Sequence, residues 1–213
     1  MTRLLLIRHG ESEANNEGMF AGNKDVSLKE RGIEQAKKTA EYISENYEVD
    51  YVYASDLKRA YKTGEVIADL LGLKVIADKR LREIYAGKWE GKKFTELEEN
   101  FADDYKCWLT DIGNCICSGG ESVKELGERV FKAISEIAEK NDGKTVVIAT
   151  HATPIRALQC ILGGYSFDQM KNIPWVSNAS VTELSYENGE WNFIKIGEDG
   201  HLSTLKTTFP ANV

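Results

Sequence analysis

Short apolar runs alternate with longer amphipathic stretches along most of this chain. Residues 3–7 read RLLLI and end at once in Arg8, His9 and Gly10. A buried strand closing in a polar turn fits that pattern. From 28 to 46, Leu28, Ile33, Ala36, Ala40 and Ile43 recur at helical spacing among charges. Ser27 is the expected cap of that helix, with Glu30 as its partner three residues on. The run 50–54 (DYVYA) predicts a second strand. Ser55 or Asp56 should then cap a helix that stops at Leu71 before Gly72. A short third strand is expected at 73–77. Ser122 to Asn141 is again helical, with Val123, Leu126, Val130, Ile134 and Ile137 on one stripe. TVVIA at 145–149 is the clearest buried strand. It leads through Thr150 and His151 into a helix expected from Pro154 to Leu162. Asn188-Gly189, flanked by 180–186 and 190–196, is a strong hairpin signal.

Between Glu83 and Gly120 the periodicity weakens. Glycines and aromatics cluster there, with a helix expected near 94–108, and the stretch reads as a lid rather than as sheet. Strands alternating with helices predict an α/β fold, here a three-layer α/β/α sandwich. The sheet should be mainly parallel, with the hairpin as an antiparallel edge. With no repeat and no Ser- or Pro-rich linker, the chain reads as one domain over 1–213, with the lid inserted at about 84–120.

Composition narrows the field. The 213 residues are 42% hydrophobic and 29% charged, a globular mix long enough to bury a core. No apolar run approaches the roughly 18 residues of a membrane span. The run after Arg3, Leu4 to Ile7, is too short for a signal-peptide core, so a cytoplasmic location is expected. The net charge of −7 argues against nucleic-acid or anionic-membrane partners. Cys107, Cys115, Cys117 and Cys160 read as reduced thiols. Cys115 and Cys117 are one residue apart and no histidine is near them in sequence, so no metal site is expected.

Ligands of parallel sheets bind beyond the carboxyl ends of the strands. His9, Ser55 and His151 each follow an expected strand there. Arg59 lies near the start of a helix, where its charge opposes the helix dipole unless an anion is present. Two imidazoles and two guanidiniums on one edge call for an anion, and phosphate matches forked donors. Neutral imidazole can attack phosphorus. Arg8, Arg59 and His151 could hold the charge that develops on the phosphoryl oxygens. The departing alkoxide needs a proton, so a carboxylic acid is expected nearby.

The stretch RHGESEAN at 8–15 resembles the signature of the histidine phosphatase superfamily, which includes cofactor-dependent phosphoglycerate mutases. SLKERGIEQA (27–36), SDLKRAYKT (55–63), LREIYAGKWEG (81–91), GGESVKELGERV (119–130) and VVIATHATPIRAL (146–158) resemble further blocks in the same order. The resemblance implies a phosphohistidine reaction without metal, with His9 as nucleophile. Arg8, Arg59 and His151 would form the phosphate pocket. Asn15, Gly22 and Ala152 would border the phosphate, and Glu83 would be the general acid and base. Where the family often has glycine after the second histidine, this chain has Ala152 and Thr153, whose side chains would tune the pocket.

The mutase branch carries an arginine directly after the acid and an arginine pair further along its lid. Here Ile84, Tyr85 and Ala86 follow Glu83, and no arginine occurs before Arg129. EIYAGKWEG looks more like the phosphatase branch, which includes sugar-bisphosphate and nucleotide-loop phosphatases. The expected function is therefore hydrolysis of a small phosphorylated metabolite, with no cofactor, by a monomer or homodimer. The alternatives are a 2,3-bisphosphoglycerate-dependent mutase and a silent phosphate-binding module. A dinucleotide oxidoreductase is disfavoured because no G-x-G-x-x-G turn follows the first strand. Tyr85, Trp89, Phe94, Phe101, Tyr105 and Trp108 read first as a small core under the lid, and second as an apolar rim for the ester. Lys88, Lys92 or Lys93 could partly stand in for lid arginines, although Lys92 and Lys93 read as a solvated face. Cys160 is expected in the core and His201 at the surface.

Overall fold

The computed structural model describes residues 1–207. Residues 208–213 of the expected domain lie outside them. Six strands form one sheet: β1 (Thr2–Arg8), β2 (Tyr51–Ala54), β3 (Val75–Ala77), β4 (Thr145–Thr150), β5 (Val181–Glu187) and β6 (Glu190–Glu198). Their order is β3-β2-β4-β1-β5-β6. Pairing is parallel from β3 to β1 and antiparallel from β1 to β6. The helices are α1 (Glu13–Glu17), α2 (Glu30–Asn46), α3 (Lys58–Leu71), α4 (Phe94–Asn100), α5 (Ala102–Thr110), α6 (Val123–Lys140) and α7 (Ala152–Leu162).

Leu4 to Ile7 are fully buried because β1 is central and covered on both faces. The period of two sorts them. Leu5 and Ile7 pack with Val147 against Ala40 and Ile43 of α2 and Ile67 of α3. Leu4 and Leu6 face the other way, with Val146 and Ile148, onto α6 and the lid. This is the expected three-layer sandwich. Among the described residues, no helix is long and apolar enough to cross a membrane.

Element boundaries moved where distant groups intervene. Ser27 does not cap α2; Lys29 occupies that position. The backbone N–H of Ser27 instead donates to Glu13 Oε2 at 3.2 Å, and its carbonyl accepts from Glu13 N at 3.1 Å. The chain is thus tied to the turn after β1 before the helix can start. Neither Ser55 nor Asp56 caps α3, which begins at Lys58. Its first free N–H, that of Lys58, donates to Asp25 Oδ1 at 2.7 Å, and Asp56 grips Arg82. The helix expected near 94–108 is two helices broken at Phe101, whose φ/ψ of −138/38° is not helical. Pro154 lies within the first turn of α7, which opens two residues earlier than expected.

Other signals were met. Ser122 and Glu125 form a capping box on α6. Gly72 ends α3 in the left-handed conformation. Asn188 and Gly189 both have positive φ, as a two-residue hairpin turn of type I′ demands. Under the lid, Phe20, Trp89 and Trp108 meet edge to face at 5.0–6.1 Å. Cys160 is buried in the core. His201 is a correction. It stacks on Tyr42 at 4.8 Å, and its Nε2 lies 3.0 Å from Thr39 Oγ1, because residues 200–205 fold back over α2.

Candidate active site

The polar turns after β1, β2 and β4 converge because those strands are parallel neighbours. A cavity of about 810 Å³ opens at this edge. Arg8, His9, Asn15, Gly22, Arg59, Glu83 and Ala152 all line it. His151 is fully buried just behind, its ring centroid 5.1 Å from that of His9.

The geometry of His9 sets its tautomer. Its Nδ1 lies 2.7 Å from the carbonyl of Gly10, which can only accept, so Nδ1 carries the proton. Burial, then the charges of Arg59 and Arg8, hold the pKa of His9 well below its usual value of 6.5. The ring is neutral, with the Nε2 lone pair free to act as acceptor. Arg59 Nε donates to it at 3.3 Å. His151 is likewise held neutral by burial and by Arg59. Its Nε2 meets Ser55 Oγ at 2.8 Å, while its Nδ1 is buried and finds no partner among the described residues.

The two arginines are held by backbone carbonyls. Arg59 donates to Gly22 O at 2.7 Å and Lys24 O at 3.0 Å; Arg8 donates to Val176 O at 2.6 Å. Burial lowers both guanidiniums to about 10, while the nearby charge of Glu83 acts in the opposite sense. They remain cations at neutral pH. Gly22 must be glycine. Its φ is +51°, and a Cβ would sit 2.9 Å from Ala86 Cβ and Glu90 Oε1.

Glu83 reaches the cavity from the loop after β3. One carboxylate oxygen accepts from its own following N–H at 2.8 Å, the other from Thr153 N at 3.4 Å. Arg129 of α6 braces this loop, donating to the carbonyls of Arg80, Arg82 and Glu83 and pairing with Glu121. Two imidazoles, two guanidiniums and a carboxylate therefore converge in one partly enclosed site.

The chain matches the model of the histidine phosphatase superfamily (branch 1) over residues 4–199. It belongs to that superfamily. Phosphoserine phosphatase 1 of Hydrogenobacter thermophilus is 34% identical over 202 residues, covering 95% of both chains. The solved structure of Bacillus stearothermophilus YhfR superposes with a TM-score of 0.91 at 27% identity, covering 95% of this chain and all of that one. A phosphoserine phosphatase variant from Entamoeba histolytica, in complex with phosphoserine, has a TM-score of 0.82 at 29% identity, with 95% and 100% covered. This member of the superfamily is a phosphatase, a phosphoric monoester hydrolase.

The cavity of this histidine phosphatase also holds residues that the sequence did not single out. Asn178, 1% exposed, donates from Nδ2 to His9 O at 2.9 Å and lies 3.4 Å from Asn15 Oδ1. The cluster SNAS at 177–180, just before a strand, was its only signal. Asn15 Oδ1 also accepts from Ser12, closing the cap of α1. The aromatics of the 84–120 segment divide between core and cavity. Trp89 is core, Tyr85 is exposed, and Phe94, Tyr105 and Trp108 line the cavity. Lys88, Lys92 and Lys93 do not line it, whereas Lys171 and Arg156 do. Among the described residues, no group of three or more His, Cys, Asp or Glu is placed to hold a metal ion.

Proposed function

We propose that this phosphatase hydrolyses small phosphate monoesters without metal or cofactor, through a phosphohistidine on His9. The observation that carries the reading is the Gly10 carbonyl 2.7 Å from His9 Nδ1, which leaves Nε2 unprotonated toward the cavity. In the first step Nε2 attacks phosphorus and the ester P–O bond breaks. Glu83, as the acid, gives its proton to the leaving oxygen. Arg8, Arg59 and His151 hold the equatorial oxygens, whose charge offsets the repulsion between the two guanidiniums. In the second step Glu83 takes a proton from water, the water oxygen attacks phosphorus and the N–P bond breaks. Phosphate leaves and His9 returns to its neutral form.

The absence of arginine between Glu83 and Arg129 favours hydrolysis over the mutase reaction, which must retain a bisphosphate. Phosphoserine is the physiological ester to try first, because the Hydrogenobacter relative is named for it and the Entamoeba structure holds it. The test is phosphate release from p-nitrophenyl phosphate and phosphoserine in excess EDTA. His9→Ala should lose on the order of 10³-fold or more in kcat. Retained turnover in that variant would remove the phosphohistidine step, and wild-type activity that appears only when a divalent cation is restored would remove the metal-independent reading.

A further inference from the structure

One wall of the cavity carries a cation that the phosphoryl chemistry does not use. Arg156 lies on α7, a turn beyond His151, and is 7% exposed. Arg3, Arg31, Arg80, Arg82 and Arg129 each ion-pair with an aspartate or glutamate. Among the described residues Arg156 pairs with none. Its Nη2 donates to the carbonyls of Met170 and Lys171, at 3.1 and 3.3 Å. Its guanidinium carbon stands 4.2 Å from the centroid of the Trp175 ring, which in turn stacks on Trp108. Its Nε is buried with no hydrogen-bond partner among the described residues. Burial alone lowers its pKa, to about 10, with no carboxylate acting against it.

A buried charge without a counter-ion is costly, and proteins hold one where a ligand supplies the opposite charge. Two carbonyls and an aromatic face fix the plane of this guanidinium in advance. The cation is therefore pre-oriented at the cavity wall, which Lys171 also lines. Arg8 and Arg59 mark the phosphoryl end of the same cavity.

We infer that Arg156, backed by Trp175, is a specificity-determining residue that binds a second anionic group on the substrate, remote from the phosphoryl being transferred. The inference rests on the phosphatase reading above. The preferred substrates are then small phosphate esters carrying a carboxylate or a second phosphoryl group, and neutral alkyl phosphates are poor ones.

Three esters of similar length separate these cases: phosphoserine, 1,3-propanediol bisphosphate and propyl phosphate. In the wild type, kcat/KM for one of the first two should exceed that for propyl phosphate by about 30-fold, the size expected of a charged hydrogen-bonded contact. Which of the two is preferred tells carboxylate from phosphoryl. Arg156→Met should collapse that ratio, mostly through KM. Arg156→Lys, which keeps the charge but not the fork, should retain part of it, and serves alone if the methionine variant does not fold. No preference in the wild type, or a ratio that survives both substitutions, overturns the inference while leaving the phosphatase reading intact. If none of the three esters turns over, the phosphatase reading fails separately. Calorimetric affinities of the same esters for His9→Ala then decide the matter, and equal affinity for phosphoserine, the bisphosphate and propyl phosphate overturns it.

Discussion

At His9, a single hydrogen bond decides which ring nitrogen carries the proton. The Gly10 carbonyl is adjacent in sequence, so this device was built into the RHG turn itself. Arg8, His9 and His151 were legible because each lies within two residues of the end of an apolar run. Glu83 was not, and its assignment came through the family resemblance. The groups that aim it, Arg129 and the N–H of Thr153, lie 46 and 70 residues away in sequence. Asn178, 169 residues from the His9 carbonyl it binds, was missed for the same reason. If Glu83 protonates the leaving oxygen, Glu83→Gln should slow alkyl phosphates far more than aryl phosphates, whose weakly basic phenoxides leave with little help from an acid. A leaving-group series measures this, and an equal loss across the series would remove Glu83 from the acid role.

At the scale of elements, the start of α2 shows how tertiary contact overrides local signals. Ser27 followed by Glu30 is a capping pattern, yet Ser27 spends its backbone groups on Glu13. The helix instead begins where it can press against the turn after β1. A Cβ on Gly32 would sit 2.1 Å from the Glu11 carbonyl, and one on Gly10 2.2 Å from the Gly32 carbonyl. Two glycines thus let the first turn of α2 pack backbone to backbone on the loop that carries His9. Gly32→Ala should cost about 1–3 kcal/mol, the range for overpacking a rigid contact. Urea unfolding measures it, and kcat should fall as well because the loop must shift. An unchanged midpoint would mean that the loop yields freely. The lid broke at Phe101 for a related reason. Its aromatics have two faces to serve, the buried one under Trp89 and the cavity lined by Phe94, Tyr105 and Trp108.

Across the whole molecule, a net charge of −7 surrounds a cationic centre. That centre makes stability depend on pH. His9 and His151 are held well below 6.5 when folded, by burial and by the arginines. Unfolded, they take up protons near 6.5, so the unfolded state binds more protons below that pH. Stability should be level above about pH 7.5 and fall as the pH drops through 6.5. Half-buried His201, also lowered, acts in the same direction. Asp56 and Asp50, held below 3.8 by Arg82 and by the Thr145 N–H, lose their contribution only in stronger acid. Inorganic phosphate, if it occupies the proposed pocket of the folded state, should recover much of the loss at pH 5.5. Denaturation at pH 7.5 and 5.5, with and without phosphate, tests this, and a pH-independent midpoint would contradict it.

The amino-acid sequence by itself determined the α/β class, the buried central strands, the hairpin and the two histidines at strand ends. These follow from periodicity and from residues adjacent in the chain, which no distant contact had to arrange. Only the tertiary structure decided where α2 and α3 begin, where His201 lies, which groups aim Glu83 and that Arg156 faces the cavity without a carboxylate. Each of these depends on partners brought together by the sheet order β3-β2-β4-β1-β5-β6. Linear spacing carries no record of which distant groups that order makes neighbours.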